Sequence, residues 1–322
     1  MASASDMILV CGEALFDLFG SEQGNGYNFS AQPGGSPFNV AIGLARLNLR
    51  AGLCTGISTD FLGTKLMRVL AAEGVDTRQV VRSSAPTTTA FVSLSETGVP
   101  EYVFRGETAA DRSMDASTLP GVAEATALHF GSYSLVAGST ADLFATLMCD
   151  SKNTHFISVD PNVRPTVEPD MARWRARVEH AASCANMLKL SDEDAALLYP
   201  GQAIDDLAAT LLAHGPALVV ITRGERGASA YTATERLDVD GIGTDVIDTV
   251  GAGDSFQAAL LAGLELRGLL TRDGLENLGR EVILSLMQNA IVASAITCSR
   301  AGANLPCASE IAAFQTPTPH SA

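Results

Sequence analysis

The chain is short of positive charge. Lys and Arg number 21 against 36 Asp and Glu, a formal charge of −15 over 322 residues, with a pI of about 4.7. That balance argues against a nucleic-acid binder, which needs a basic face for phosphates. It also argues against a peripheral membrane protein, which needs a cationic patch for anionic lipid. For an enzyme of phosphorylated substrates it poses a problem, since an acidic protein must still attract an anion. No apolar run approaches the roughly 20 residues of a membrane span. The opening Met-Ala-Ser-Ala-Ser-Asp lacks the basic and apolar regions of a secretory leader.

Other signals are missing too. The six cysteines (Cys11, Cys54, Cys149, Cys184, Cys298, Cys307) are scattered and form no C-x-x-C. Most are expected to be small core residues of a cytoplasmic protein, not a disulfide frame or a zinc site. There is no G-x-x-x-x-G-K-[ST], which excludes a P-loop phosphotransferase. No G-x-G-x-x-G follows a strand, which removes the usual dinucleotide fingerprint. The five histidines (His129, His155, His180, His214, His320) are far apart and form no H-E-x-x-H, so neither a metal nor a His base is expected. Gly253-Asp254-Ser255 has the form of a serine-hydrolase nucleophile, but no Asp has His three residues on. A nucleophile without a base is inert.

What is there is a globular composition, 47% hydrophobic and 18% charged. Short apolar strands are expected at Met7–Cys11, Leu53–Ile57, Leu128–Phe130, His155–Val159, Met187–Leu190 and Leu218–Thr222. Helices are expected at Phe61–Glu73, Ala141–Cys149, Met171–Ala182 and Ile204–His214. Such alternation implies a mainly parallel sheet covered on both faces, a three-layer α/β/α fold. Two stretches, Ala90–Leu94 and Glu101–Arg105, alternate in the strand period around Thr97-Gly98. With residues near Asn25–Ser30 they suggest a second, smaller sheet that acts as a lid. The whole of 1–322 reads as one domain, with the lid at about 14–33 and 88–110. No internal repeat or linker is found, and the Pro/Thr-rich tail Thr316–Ala322 is expected to be loose.

Three clusters carry chemistry. In Asp248-Thr249-Val250-Gly251-Ala252-Gly253-Asp254, glycines precede a helical run. The free N–H groups and dipole of a helix start make an anion site. The segment from Gly241 to Ala262 contains no Lys or Arg, so backbone dipoles would do most of the holding. Asp254, in that positive end, is expected to be ionised and able to take a proton from an attacking hydroxyl. Its plain alternative is a helix cap. In Gly34-Gly35-Ser36-Pro37-Phe38-Asn39, Ser36 reads as an N-cap with Pro at the first helical position. The paired glycines allow close approach, and Asn39 suits a sugar hydroxyl. Asp17, past the first strand, could accept from two neighbouring hydroxyls. The third cluster, Asp160-Pro161-Asn162-Val163-Arg164, also follows a strand, where parallel sheets bind ligands.

Together these motifs resemble the ribokinase-like (PfkB) carbohydrate kinases, most closely the fructokinases. GGSPFNVAIGLARL and DTVGAGDSF match the two family signatures. GEALFDLF, LHFGSYSL, DPNVRP, LKLSDED and VITRGERGA fall between or before them in the family's order. The match runs from Met7 to about Phe314. The resemblance implies a cytoplasmic enzyme that uses Mg-ATP to phosphorylate a small sugar, D-fructose first. 2-Keto-3-deoxygluconate, other sugars or nucleosides, and a silent sugar sensor are the alternatives. It implies Asp254 as base, with Gly251, Ala252 and Gly253 as anion hole. Asp17, Gly34, Gly35, Asn39, Arg105, Asn162 and Arg164 would lie near the sugar or the transferred phosphate. Lys189, Thr222, Gly224, Gly227 and Asn289 would lie near ATP. Asp248 and the Val250 carbonyl would hold a monovalent cation such as K⁺. Ser191-Asp192-Glu193-Asp194 departs from the family's N-x-x-E and leaves metal handling open. Asp194 is otherwise an ordinary acid in a first helical turn. A homodimer through the lid is a further implication.

Overall fold

Strand β1 (Met7–Cys11) is apolar throughout because both of its faces are covered. Ile8 and Val10 enter one hydrophobic core; Met7, Leu9 and Cys11 enter another on the opposite side. This computed structural model describes residues 7–94, 100–119 and 121–315. The large sheet also contains β4 (Arg50–Ser58), β5 (Val80–Ser83), β8 (Ala125–Gly131), β9 (Phe156–Asp160), β10 (Met187–Ser191), β11 (Leu218–Thr222), β12 (Ala228–Tyr231) and β13 (Arg236–Val239). Their spatial order is β13-β12-β11-β10-β9-β8-β1-β4-β5. Every pairing is parallel except β11–β12 and β12–β13. The sequence pattern gave no sign of the antiparallel edge, whose two strands are only four residues each.

Helices α1 (Ser36–Arg46), α2 (Phe61–Ala72), α7 (Ala252–Glu265), α8 (Arg272–Glu276) and α9 (Arg280–Cys298) contribute to the core on one face. Helices α3 (Gly138–Ser151), α4 (Met171–Ala182), α5 (Asp192–Leu198) and α6 (Ile204–His214) contribute to the other; α10 (Ala308–Gln315) follows at the end. Trp174 of α4, the single tryptophan, is wholly buried, with its indole N–H donated to the Glu168 carbonyl at 3.0 Å. The expected three layers are therefore present.

The smaller sheet is present as well: β2 (Leu15–Gln23), β3 (Gly26–Gly34), β6 (Thr89–Leu94) and β7 (Pro100–Arg105), in the order β3-β2-β6-β7. The β2–β6 pair is parallel and the other two antiparallel. The Thr97-Gly98 turn, the N-terminal hexapeptide and the tail from Thr316 lie outside the described residues.

Three expectations need correction. Ser36 is not the cap of α1. Gly35, at φ 106, occupies that position, with Ser36 and Pro37 inside the helix. The Ser36 hydroxyl is free to go elsewhere. The cysteines are not all separate: Cys149 and Cys184 are joined as a disulfide, because the end of α3 packs against the turn after α4 and brings their Cα atoms to 5.2 Å. Finally, α9 (19 residues, mean hydropathy 1.5) is long and apolar enough by length and composition to cross a membrane. Here it packs on α7, and Ile283, Leu286, Met287 and Ala290 enter the core.

Asn186 stitches three strands. Its N–H donates to the Ile157 carbonyl (2.8 Å), its Oδ1 accepts from the Ile157 N–H (2.7 Å), and its carbonyl accepts from the Ala217 N–H (2.8 Å). Asn186→Ala leaves a buried N–H without a partner and should lower stability by about 1–3 kcal/mol. Urea denaturation checks this; an unchanged midpoint would show that the contact contributes nothing.

Candidate active site

Asp254 is the third residue of α7, not its cap; the cap is Gly251, in the left-handed region at φ 81. Without a side chain there, the 249–253 backbone can turn its amides outward at the positive end of the helix. Asp254 is 7% exposed. Its Oδ1 accepts from Ser36 Oγ at 2.7 Å and its Oδ2 from Asn39 Nδ2 at 2.8 Å. Two helix starts thus meet mouth to mouth. The helix end alone predicted a depressed pKa. Burial dominates instead and raises it, against the pull of Ser36, Asn39, Lys189 and Arg164. A carboxylate has about four acceptor positions, so two remain for a ligand.

Lys189, expected near ATP, stands beside the anion loop. On β10, 3% exposed, it donates from Nζ to Asp160 Oδ2 at 2.6 Å. A Cβ built on Gly253 would lie 3.6 Å from that ammonium nitrogen. The anion loop therefore has a buried positive charge beside it, although none is near in sequence. Burial pushes Asp160 up to about 6, opposed by Lys189. Its Oδ1 is buried with no partner.

The sugar-side residues converge partly. A Cβ on Gly34 would collide with the Asp17 carboxyl, and one on Gly35 would lie 2.9 Å from the Glu13 carbonyl. Asp17 is pushed up to about 6 by burial, lowered by Arg164 and raised by Asp254, which places the three in one electrostatic cluster. Arg164 is half-buried, and its Nη1 donates to the carbonyls of Asn162 (3.3 Å) and Val163 (3.1 Å). Asn162 has φ 40, a conformation that costs a non-glycine residue about 1–3 kcal/mol and that clusters at functional sites. Arg105 is not brought in: it is exposed and donates to the Phe104 carbonyl at 3.0 Å.

On the other side, Thr222 ends β11 in register with Ser191. Gly224 begins a single 3-10 turn, and Gly227 lies against the Val239–Gly241 backbone. Asn289 is half-buried on α9. Asp248 ties two loops: its Oδ1 accepts from the Val250 N–H (3.0 Å) and its Oδ2 from the Gly302 N–H (2.9 Å). Asp194 takes its ordinary reading. It closes a capping box with Ser191, and its Oδ1 accepts from the Val163 N–H at 2.8 Å. A cavity of about 460 Å³ adjoins Asn39 and Asp248, between the small sheet and the Gly302 turn, but does not include Asp254.

Sequence reasoning missed Glu13 and Ser36. Glu13 comes two residues after β1, and an acid so close to a strand end was the available signal. It is 1% exposed, with Oε2 unpartnered. Burial pushes it up to about 7; Ser132 and Arg164 pull it down and Asp111 raises it. Behind it Asp111 accepts from Thr88 Oγ1 (2.6 Å) and the Tyr133 hydroxyl (2.7 Å).

An acid held by two hydrogen bonds at a helix start, beside a buried ammonium, is the arrangement that a phosphotransferase acting on a hydroxyl requires. The chain belongs to the pfkB family of carbohydrate kinases, whose model matches residues 5–308. It is 37% identical over 279 residues to a fructokinase of Rhizobium leguminosarum bv. trifolii, covering 86% of this chain and 85% of that one. The fold is similar to a Xylella fastidiosa fructokinase with bound ATP (TM-score 0.88, 26% identity, 96% and 98% of the two chains). It is also similar to a double mutant of a Vibrio cholerae O395 fructokinase with fructose, ADP and potassium ion bound (TM-score 0.84, 25% identity, 98% and 100%).

Glu13 gives a pH test. Its folded-state pKa, about 7, lies above its ordinary 4.5. The folded chain therefore holds a proton that the unfolded chain releases, and stability should fall as pH rises through that window. Glu13→Gln should flatten the fall, read as melting temperature at several pH values. An unaltered slope in the variant assigns the effect elsewhere.

Proposed function

We propose that the protein is an ATP-dependent fructokinase, which transfers the γ-phosphoryl group of ATP to D-fructose and yields fructose 6-phosphate and ADP. The observation that carries this reading is Asp254 at the start of α7, held by Ser36 and Asn39, with the Lys189 ammonium beside Gly253. Asp254 takes the proton of the attacking hydroxyl. The 251–253 amides and Lys189 hold the oxygens of the transferring group, where negative charge gathers. Asp17, the Gly34-Gly35 turn, the Asn39 amide oxygen, Asn162 and Arg164 bind the sugar. Thr222, Gly224, Gly227 and Asn289 border the nucleotide. The four-stranded sheet, with Arg105 at its edge, closes over the site and excludes water.

Magnesium bound with ATP would supply charge neutralisation at the phosphates. Asp160 fits it through its unpartnered Oδ1. Asp194 fits less well, since both of its oxygens accept backbone N–H groups. Asp248 and the Val250 carbonyl fit a monovalent cation by donor type. Tyr27, Phe29 and Val103 expose apolar surface on the small sheet, which a second copy would cover. Use of ATP accords with a cytoplasmic setting.

Asp254→Asn should lower kcat at least about 10²-fold, the size of a general-base effect, with an unchanged circular dichroism spectrum. ADP release measured against fructose, 2-keto-3-deoxygluconate, ribose and adenosine should favour fructose. Normal turnover by the variant removes Asp254 as base; preference for another acceptor removes the fructokinase reading while leaving the kinase.

A further inference from the structure

The Cys149–Cys184 bridge lies away from the phosphoryl-transfer site. Helix α3 starts near the C-terminal end of β8 and runs back toward the start of β9, so Cys149 sits at the opposite pole of the sheet, with Cys184 in the turn before β10. His180, one turn before Cys184, stands with Nε2 3.5 Å from Cys149 Sγ. The three ligating atoms lie within 4.8 Å of one another. The two sulfurs differ in access: Cys184 is 4% exposed, whereas half-buried Cys149 lines a surface cleft of about 380 Å³ with Thr146, Asp150, Arg177 and His180. Arg177 is ion-paired with Asp142 across the same cleft.

We propose that this cluster is a thiol-exchange site, in which Cys149 is the attacking thiol, His180 its base and Cys184 the resolving thiol, and that the bridge forms and opens with external disulfides and thiols. A thiolate is the reacting species, and a neighbouring histidine promotes it. In the reduced protein Cys149 gives its proton to His180 and attacks one sulfur of a small disulfide, RS–SR. That S–S bond breaks, RS⁻ leaves and takes up a proton, and Cys149–S–SR remains. The Cys184 thiolate then displaces the second RS⁻, closing Cys149–S–S–Cys184. Two thiols and RS–SR become one protein disulfide and two RSH, with two electrons passed to the external disulfide. The cleft opens Cys149 to the surface, and the burial of Cys184 leaves the internal route as its way to react. A bridge fixed only for structure needs neither a cleft at one sulfur nor a histidine beside it.

The test uses the full chain, fully reduced, desalted and exposed to oxidised glutathione, with modified residues located by peptide mass mapping. The wild type should gain the 149–184 bridge and retain no glutathione on either cysteine. Cys184→Ser should retain glutathione on Cys149. Cys149→Ser should leave Cys184 unmodified over the same time. Adding His180→Gln to Cys184→Ser should slow adduct formation about tenfold. Circular dichroism of each reduced variant confirms folding, and oxidised wild type should melt several degrees above reduced wild type while Cys149→Ser shows no such difference. Modification of Cys184 as fast as Cys149 would overturn the proposal. So would both thiols staying free while Cys298 and Cys307 react, an adduct rate indifferent to His180, or stoichiometric zinc uptake by the reduced protein that blocks both thiols.

Discussion

Two hydrogen bonds from the start of α1 to Asp254 span 218 and 215 residues of sequence. The rest of the site depends on them. They set the N-terminal ends of α1 and α7 against each other, so the Gly34-Gly35 turn at the root of the small sheet and the Gly251–Gly253 loop face one cleft. Hydrogen bonds to an ionised group contribute about 1.5–3 kcal/mol each, which offsets part of the cost of burying a carboxylate. Burial still prevails in the balance, and the raised pKa of Asp254 makes it a better proton acceptor than an exposed Asp.

The acidic balance of the chain also finds its physical answer here. Its −15 charge says little about the cleft. Lys189 is carried to it by the middle of β10 and Arg164 by the loop after β9, and α7 adds its dipole. Some of the acids nearby are weaker than they look. Glu13 is pushed up to about 7 and Asp17 to about 6 by burial, so near neutral pH each carries less than a full negative charge. Asp160 is matched by Lys189 at 2.6 Å. Desolvation and pairing thus trim the negative field where an anion must sit, while the remaining surface acids keep the molecule in solution.

Two of the three described non-glycine residues with positive φ lie at the same edge; the third, Asn48, precedes β4. Ser132 and Asn162, neither of them glycine, hold φ of 58 and 40 just beyond the ends of β8 and β9. The strands above and below are buried and rigid, so they can sustain such turns, and the turns aim their loops into the cleft. The opposite pole of the sheet is built differently: there α3 and the turn before β10 meet at Cys149 and Cys184, and no group of the phosphoryl-transfer cluster lies within their contacts.

The sequence by itself determined much of the architecture. Continuous apolar runs such as Met7–Cys11 and Leu218–Thr222, and helical spacing of apolar residues in Met171–Ala182, depend on local burial, which residue order records directly. The Gly251–Asp254 motif was legible for the same reason, since a helix start is a local event. Tertiary structure alone decided the rest. Ser36 looked like a cap and became a ligand of Asp254. Lys189 came to Gly253 from a strand more than sixty residues away in sequence. Arg105 stayed outside the cluster, Glu13 joined it, and Cys149 found Cys184. Each of these outcomes turns on which side chains share a dielectric environment and a few ångströms of space, and those distances exist only once the chain has packed.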